Sequence, residues 1–324
     1  MKKNILLLGF VFVILASMSL VCFGETARLI IVGGQMGGNN QLYGTAITEV
    51  VHRMYPEITI DYRPGAAVAN VMVLSSGEAD LGFSHNNNAV AATLGIEPFT
   101  EKYPGVMAIA GFNISKVQIV ALKETGINSM RQIIDEKIPV RISVGDRGSG
   151  TELSFRRWME VCGITYDDIT SWGGKIYFKQ NVEANDLMNL GQLDVQFNSG
   201  ACPLPTFKEL AANNDLNLLS VDEEVIETLN KKYGYIKTYI TNEDYDFVTT
   251  DTPIFGQLSI VIVREAIPEE IVYKITKAIV ENLDYFYAVD SVLESVTKEN
   301  IWQDTGFDLH PGAKKYYQEI GVMK

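Results

Sequence analysis

The chain has 324 residues, enough for two domains of ordinary size, and 47% hydrophobic with 21% charged residues is the composition of a globular protein with a packed core. Its formal net charge of −13 argues against nucleic acid or an anionic membrane surface as a partner. No Cys-x-x-Cys or His-Glu-x-x-His pattern occurs, so we expect no metal site and no cofactor.

Residues 1–24 have the composition of a secretory signal peptide. Two lysines open the chain, an apolar run follows at 5–15, and small and mixed residues lead to residue 24. Removing them takes away both lysines and no acid, which changes the net charge from −13 to −15. We expect export to the periplasm or another extracytoplasmic space, with an uncleaved anchor as the alternative. Val21 disfavours a lipid anchor at Cys22, because lipid modification prefers a small residue there.

The first part of the exported chain alternates between strand and helix patterns. Strands are predicted at 28–32, 58–65 and 79–85, with helices following residue 42 and at 66–77. Gly77 is the expected end of the second helix. Short loops in such an alternation predict a parallel sheet with helices on both faces. Two separate apolar runs then follow, at 106–112 and 117–122.

A second strand and helix series begins near residue 141. Its strands are predicted at 141–144, 175–178, 193–200 and 216–221, with helices at 150–162, 182–192 and 204–213. A strand at 258–263 and helices at 268–286 and 311–321 close the chain. We therefore predict an α/β protein with two lobes: lobe 1 at 25–122, lobe 2 at 123–252, and a return to lobe 1 at 253–324. Ligands of such sheets bind outside the carboxyl ends of the strands.

The stretch VGDRGSGTE (144–152) has the glycine spacing of a phosphate loop without its lysine. Ser149 and Glu152 fit a capping box, and the helix behind them has Phe155 and Trp158 on its apolar face, with Arg156, Arg157 and Glu160 on the outer face. The free N–H groups of such a helix start suit a carboxylate, so Ser149, Gly150 and Thr151 are candidate ligand contacts. The alternative is a capping box with no ligand.

Three further strand ends carry clustered polar or small residues. The candidate ligand contacts among them are Asn39, Asn40, Ser84, His85, Asn86, Ser199, Gly200 and Ala201. Carboxamides supply both donors and acceptors, as an amino acid or oxo-acid requires. Each cluster has a plainer interpretation as well: Asn39 as an ordinary N-cap, His85 as a structural histidine, and 198–203 as a turn. No Gly-x-Ser-x-Gly or Ser-x-x-Lys pattern occurs, so we predict no enzyme activity.

Five blocks in order give the chain a family resemblance. They are GGQMGG (33–38), SSGEADLGF (75–83), SVGDRGSGTE (143–152), GQLDVQFNSGACP (191–203) and LHPGAKKYYQEIG (309–321). With them the chain resembles the TAXI-type extracytoplasmic solute receptors of TRAP transporters over its whole exported length. The resemblance implies a type II-like periplasmic binding protein fold, in which hinge strands join two lobes around a ligand cleft.

The resemblance also implies a function. Family receptors close on one small carboxylated ligand, such as glutamate or 2-oxoglutarate, and deliver it to TRAP membrane subunits. It places Ser149, Gly150 and Thr151 on the family's anion-holding turn, and Ser199 and Gly200 on a loop in lobe 2. Where Asn39 and Asn40 stand, family members commonly have two tyrosines, so a more polar ligand is expected here. We expect a monomer.

Two other functions share these sequence features. A binding protein that reports its ligand to a membrane signalling receptor would have the same fold and cleft. A secreted enzyme on a related two-lobe scaffold would require a base beside a nucleophile in the cleft.

Overall fold

The computed structural model describes residues 26–34, 38–179 and 181–324, so the predicted signal peptide lies outside the described residues. Ten strands form one sheet: β1 (Ala27–Val32), β2 (Ile58–Arg63), β3 (Leu81–His85), β4 (Val106–Leu122), β5 (Arg141–Ser143), β6 (Lys175–Tyr177), β7 (Val195–Gly200), β8 (Leu216–Leu218), β9 (Ile236–Ile240) and β10 (Thr252–Arg264). Their order is β2-β1-β3-β10-β4-β7-β5-β6, with β8 beside β4 and β9 beside β10.

Helices cover this sheet on both faces. They are α1 (Asn39–Met54), α2 (Ala67–Ser76), α3 (Asn86–Leu94), α4 (Met130–Asp135), α5 (Gly150–Cys162), α6 (Tyr166–Ser171), α7 (Asn181–Asn189), α8 (Pro205–Asn213), α9 (Glu223–Tyr233), α10 (Glu269–Val280), α11 (Leu283–Val289) and α12 (Pro311–Glu319). In the described part of the chain, 3-10 turns lie at Lys123–Thr125 and Ser291–Ser295. Within the described ranges, no helix combines the length and the apolar character that crossing a membrane requires.

Most of the predicted elements are confirmed. The strands expected at 28–32, 58–65 and 79–85 are β1, β2 and β3, and these three pair in parallel. Gly77 ends α2 in the left-handed conformation, with φ of +82°, as its position predicted. Among the described elements, α3, α4, α6, α9 and β9 have no counterpart among the predictions.

The sheet differs from the prediction in its centre. The apolar runs at 106–112 and 117–122 belong to one strand, the 17-residue β4, which continues through the mainly polar stretch NISK (113–116). β4 pairs antiparallel with β10 and with β7, so the sheet is mixed and not purely parallel. A strand crosses from one half of the molecule to the other at this polar interruption, which periodicity alone would assign to a loop.

Two groups of core residues flank this crossing. Residues up to Phe112 and from Leu258 onward form one group, to which Tyr43 and Phe83 belong. Residues between Val117 and Phe255 form the other. We call the two parts lobe 1 and lobe 2. β4 and β10 each pass from one group of core residues to the other, so these two strands connect the lobes.

An aspartate opens a strand in the same way in each lobe. Asp80 Oδ2 accepts the Ile30 N–H at 2.9 Å, and Asp194 Oδ2 accepts the Arg141 N–H at 2.8 Å. Each carboxylate also pairs with an arginine, Arg264 for Asp80 and Arg141 for Asp194. Asp80 and Asp194 therefore act as strand-start groups that tie β3 and β7 to the rest of the sheet.

The lobes also touch beside the crossing strands. Both oxygens of Glu97, in lobe 1, accept N–H groups of Arg156 on α5, at 2.7 and 2.8 Å. Arg157 was predicted to face outward, but only 3% of it is exposed. Its guanidinium donates to the Glu97 backbone oxygen at 2.6 Å and lies 4.5 Å from the centre of the Tyr233 ring. The inter-lobe contact removes this arginine from the solvent face.

The described residues include two cysteines, whose pairing the sequence alone does not decide. Cys162 and Cys202 are free thiols in the structure, and burial raises the pKa of each to about 12. Both are therefore protonated at neutral pH.

A matched pair of glycines tests how tightly the start of α3 is packed. Gly306 and Gly321 both have positive φ, of +77° and +74°, but a Cβ at 306 would overlap the Asn86 backbone oxygen, whereas nothing lies within 4 Å at 321. We expect G321A to cost roughly 1 kcal/mol for its backbone conformation and G306A at least about 2 kcal/mol more. Urea unfolding measures both, and equal costs would contradict the packing argument.

Candidate functional site

A cavity of ≈ 320 Å³ lies where the two lobes meet the crossing strands. Its described lining comes from the ends of β1, β3 and β7, the start of α1, and the middle of β4 and β10, with no lysine or arginine. The lining residues are Gly34, Gly38, Asn39, Asn40, His85, Asn113, Ser115, Ala201 and Ser259. The cavity therefore brings together four of the residues predicted from the sequence: Asn39, Asn40, His85 and Ala201.

Two long helices lie on the face of the sheet that carries this cavity. Tyr43 of α1 packs 6.5 Å from Phe83 of β3, and Phe155 of α5 packs 5.2 Å from Phe197 of β7, between ring centres. Side chains two positions apart in a strand share a face, so His85 follows Phe83 and residue 199 follows Phe197. The start of α1 lines the cavity, and α5 follows β5, the strand beside β7.

The wall from lobe 1 is made by the first turn of α1. Its N-cap is Gly38, so the alternative of Asn39 as an ordinary N-cap is wrong. Asn39 Nδ2 donates to Asp290 Oδ2 at 3.2 Å, and Asn40 Oδ1 accepts from Ser259 Oγ at 3.3 Å. These bonds fix two carboxamides at the cavity.

His85 closes the end of β3 and lines the cavity. Burial lowers its pKa from the usual 6.5 to about 4, so the ring is neutral at physiological pH. A neutral imidazole carries one donor and one acceptor. The site thus presents His85 to a ligand as a hydrogen-bonding group without charge.

Ser84 and Asn86 are placed differently from the other candidates. Ser84 Oγ donates to the Ala67 carbonyl at 2.7 Å, and none of the residue is exposed. Asn86 donates to the Gly234 carbonyl at 2.7 Å and accepts the Leu258 N–H at 2.9 Å. Asn86 and the two asparagines after it form the first turn of α3. Both side chains connect parts of the fold and do not line the cavity.

The turn at 149–151 lies outside the lining of this cavity. Ser149 caps α5 by accepting the Glu152 N–H at 3.2 Å, as predicted. The Glu152 carboxylate, however, accepts the Gly148 N–H at 3.3 Å instead of completing the box at Ser149. It also binds Arg156 at 2.9 Å and the Tyr166 hydroxyl at 2.7 Å. The first-turn N–H groups of Gly150 and Thr151 have no acceptor within the helix.

The end of β7 supplies the lobe 2 side of the cavity. Ala201 lines it, and its carbonyl accepts from Gln118 Nε2 at 3.0 Å. Ser199 Oγ is buried, and no partner for it occurs among the described residues. Ser199 and Gly200 are outside the lining, so only the last of these three candidates reaches the cavity.

Asn113 is a lining residue that the sequence analysis missed. Between the pairs Ile260–Gly111 and Leu258–Ile114, β4 has one more residue than β10, which is a β-bulge beside Asn113. The residue is 7% exposed, and its Oδ1 has no partner in the described part of the chain. The signal that could have found it is the polar interruption NISK (113–116) between two apolar runs.

Comparison with known proteins identifies the class of fold and the family. The fold is that of the two-lobe periplasmic binding proteins: a TctC solute binding protein from Polaromonas aligns with a TM-score of 0.54 at 13% identity, covering 93% of this chain and 100% of its own. The sequence profile of the NMT1-like family matches residues 31–321, so the chain belongs to that family.

Two other solved structures align less closely. PhnD1 from Prochlorococcus marinus, in complex with methylphosphonate, has a TM-score of 0.48 at 15% identity, covering 83% of this chain and 89% of its own. MatC from Rhodopseudomonas palustris, with bound malate, has a TM-score of 0.46 at 14% identity, covering 82% and 88%.

The neutral state of His85 predicts a pH dependence. The pKa of His85 is about 4 in the folded protein and near 6.5 in the unfolded chain. Between pH 6.5 and pH 4 the unfolded chain therefore binds more protons, and the stability of the folded protein falls as the pH drops through this range. We expect H85Q to lose less stability than wild type between pH 7 and pH 4, by on the order of 2 kcal/mol. The control is H52Q, because His52 is exposed on α1. Equal pH slopes for H85Q and wild type in urea unfolding would contradict the burial argument.

Proposed function

We propose that this protein is the extracytoplasmic solute receptor of a TRAP-type transporter, of the TAXI kind, and that it binds a small carboxylate. The observation that carries the proposal is the polar cavity where the two lobes meet, which is lined by the start of α1 and by the ends of β1, β3 and β7. The two-lobe fold shared with a solute binding protein and the sequence blocks of the TAXI receptors support it.

The ligand class follows from the groups around the cleft. The candidate ligands are amino acids, oxo-acids and dicarboxylic acids of the size of glutamate and 2-oxoglutarate. They need hydrogen-bond acceptors, hydrogen-bond donors and a site for a carboxylate. Asn39, Asn40 and His85 offer uncharged hydrogen-bonding groups from lobe 1. The N–H groups of Gly150 and Thr151 and the hydroxyls of Ser149 and Thr151 offer an anion site from lobe 2. Arg156 balances the charge of Glu152 beside that site.

Lobe closure joins these two sets of groups in the proposed mechanism. The open cleft is wetted, and the ligand favours the closed state because only that state lets it contact both lobes. Flexing at the centre of β4 and β10 changes the distance between the cavity and the 149–151 turn. The closed receptor then docks on the TRAP membrane subunits, which take up the ligand. The protein acts as an exported monomer.

A thermal-shift screen of amino acids, oxo-acids and dicarboxylates tests the function. A ligand present at a hundred times its Kd adds about 2.7 kcal/mol to the stability of the folded state. We expect at least one small acid to raise the melting temperature in this way. If no small acid does so, the protein is not a carboxylate receptor.

The double variant S149A/T151A tests the anion site. If both hydroxyls bind a carboxylate, their loss weakens binding by about 3 kcal/mol, roughly a hundredfold in Kd. Calorimetry with glutamate and 2-oxoglutarate measures the effect.

The matched control is T165A, since Thr165 caps the separate helix α6 through the same kind of bond. Its loss lowers stability by about 1 kcal/mol without touching the ligand. Unchanged affinity in S149A/T151A would remove the 149–151 turn from the site.

A further inference from the structure

Lobe 2 contributes a single residue to the described lining of the cavity. Ala201 is the only lining residue that lies between Val117 and Phe255. It follows β7 and opens the turn at 201–204, which leads to the start of α8 at Pro205. Backbone groups in a turn lack the regular bonds of a strand or helix and need other partners. The position of the lobe 2 wall therefore depends on what holds this turn.

Two buried side chains hold the turn at 201–204 at both of its ends. Gln118 Nε2 donates to the Ala201 carbonyl at 3.0 Å, and the Tyr245 hydroxyl accepts the Leu204 N–H at 2.5 Å. The same hydroxyl donates to Gln118 Oε1, which links the two side chains to each other. Gln118 is fully buried and Tyr245 is 2% exposed. The hydroxyl of Tyr245 is thus the common member of a network that spans the turn.

Tyr245 is itself fixed by packing and by an ion pair beside it. Its ring centre lies 6.5 Å from that of Phe207 on α8 and 5.0 Å from that of Phe247. The preceding residue, Asp244, pairs with Lys116 of β4 at 3.2 Å, and both side chains are largely buried. The hydroxyl is therefore held at a defined place relative to the strand that crosses between the lobes.

A turn that is held in place before binding favours affinity. A ligand that contacts a loose segment has to order it, and the lost conformational freedom is subtracted from the binding free energy. Because Ala201 is the part of the described lining that lobe 2 provides, loosening this turn changes the wall that a solute meets. The ring of Tyr245 fills the core of lobe 2, whereas its hydroxyl connects that core to the cavity.

We propose that Tyr245 is a positioning residue of the ligand site: with Gln118 it holds the turn at 201–204, and so the lobe 2 wall of the cavity, in the conformation that receives the solute. Tyr245 is outside the described lining and acts through Ala201. This inference rests on the proposed function, because it assumes that a solute binds in this cavity.

The thiol of Cys202 reports on the turn without any ligand. Cys202 lies in the turn, Cys162 lies at the end of α5, and burial raises the pKa of each to about 12. Y245F keeps the ring and removes the hydroxyl. A loosened turn exposes Cys202 to water, so we expect iodoacetamide to label it at least about tenfold faster, with Cys162 unchanged. Mass spectrometry of the labelled peptides measures both rates, and an unchanged Cys202 rate overturns the inference.

Calorimetry with glutamate and 2-oxoglutarate tests the effect on binding. We expect an acid that binds the wild type to bind Y245F about tenfold more weakly, because it now has to order the turn. Faster labelling of Cys202 with unchanged affinity overturns the positioning role and leaves the carboxylate receptor in place. If neither acid binds the wild type, this result contradicts the proposed function, whereas the labelling rates still decide whether Tyr245 holds the turn.

The matched control is Y317F, since Tyr317 is a fully buried tyrosine of lobe 1 whose hydroxyl donates to the Ile109 carbonyl at 3.0 Å. It is expected to lower the melting temperature but to keep the Cys202 labelling rate and the affinity of the wild type. Equal acceleration of Cys202 labelling in Y317F and Y245F overturns the inference, because it then reflects a general loss of stability.

A second variant, Q118M, separates the two ends of the turn. It releases the Ala201 carbonyl with little change in volume and leaves the bond between Tyr245 and Leu204 in place. We expect Cys202 labelling between that of the wild type and that of Y245F. Q118M decides the question if Y245F does not fold, and a wild-type labelling rate in Q118M overturns the inference.

Discussion

The antiparallel pairing of β4 with β10 is the constraint on which the rest of this molecule depends. The ladder runs from Val106 paired with Arg264 to Lys116 paired with Gly256, and both strands then continue into lobe 2. Each strand therefore belongs to two cores, one on either side of residues 113–116. Backbone hydrogen bonds between these two strands hold the lobes together and form a fixed base of the cleft. Only the angle between the lobes at this base is free to vary.

Each lobe contributes a similar structural unit at the base of the cleft. A strand opened by an aspartate ends in small and polar residues, and a helix on the cleft face of the same lobe begins at a glycine-rich turn. This arrangement places helix starts and strand ends of both lobes around one space, so polar groups converge there although they are far apart in the chain. The polar lining of the cavity therefore arises where the two units meet and not from either unit alone.

The sequence predicted those strands and helix ends that depend on residues nearby in the chain. Alternation of apolar residues located β1, β2 and β3, Gly77 marked the end of α2, and Ser149 marked the start of α5. The sequence could not show that β4 is one strand, because its polar centre is stabilised by pairing with residues about 145 positions away. For the same reason Asn113 was missed, and the hydrogen-bond partners of Ser84 and Asn86 could not be predicted. Their partners are distant backbone groups, which a pattern within a few residues does not contain.

The contact between Glu97 and Arg156 has a consequence for how the resting molecule is held. Arg156 also binds Glu152 at the start of α5, so one guanidinium joins the opposite lobe to the turn at 149–151. The pair with Glu97 is partly exposed, and exposed pairs contribute about 0–1 kcal/mol. The ion pair therefore favours one angle between the lobes only weakly, and thermal motion is sufficient to break it. The geometry of the turn at 149–151 and the angle between the two lobes are thus coupled through a single side chain.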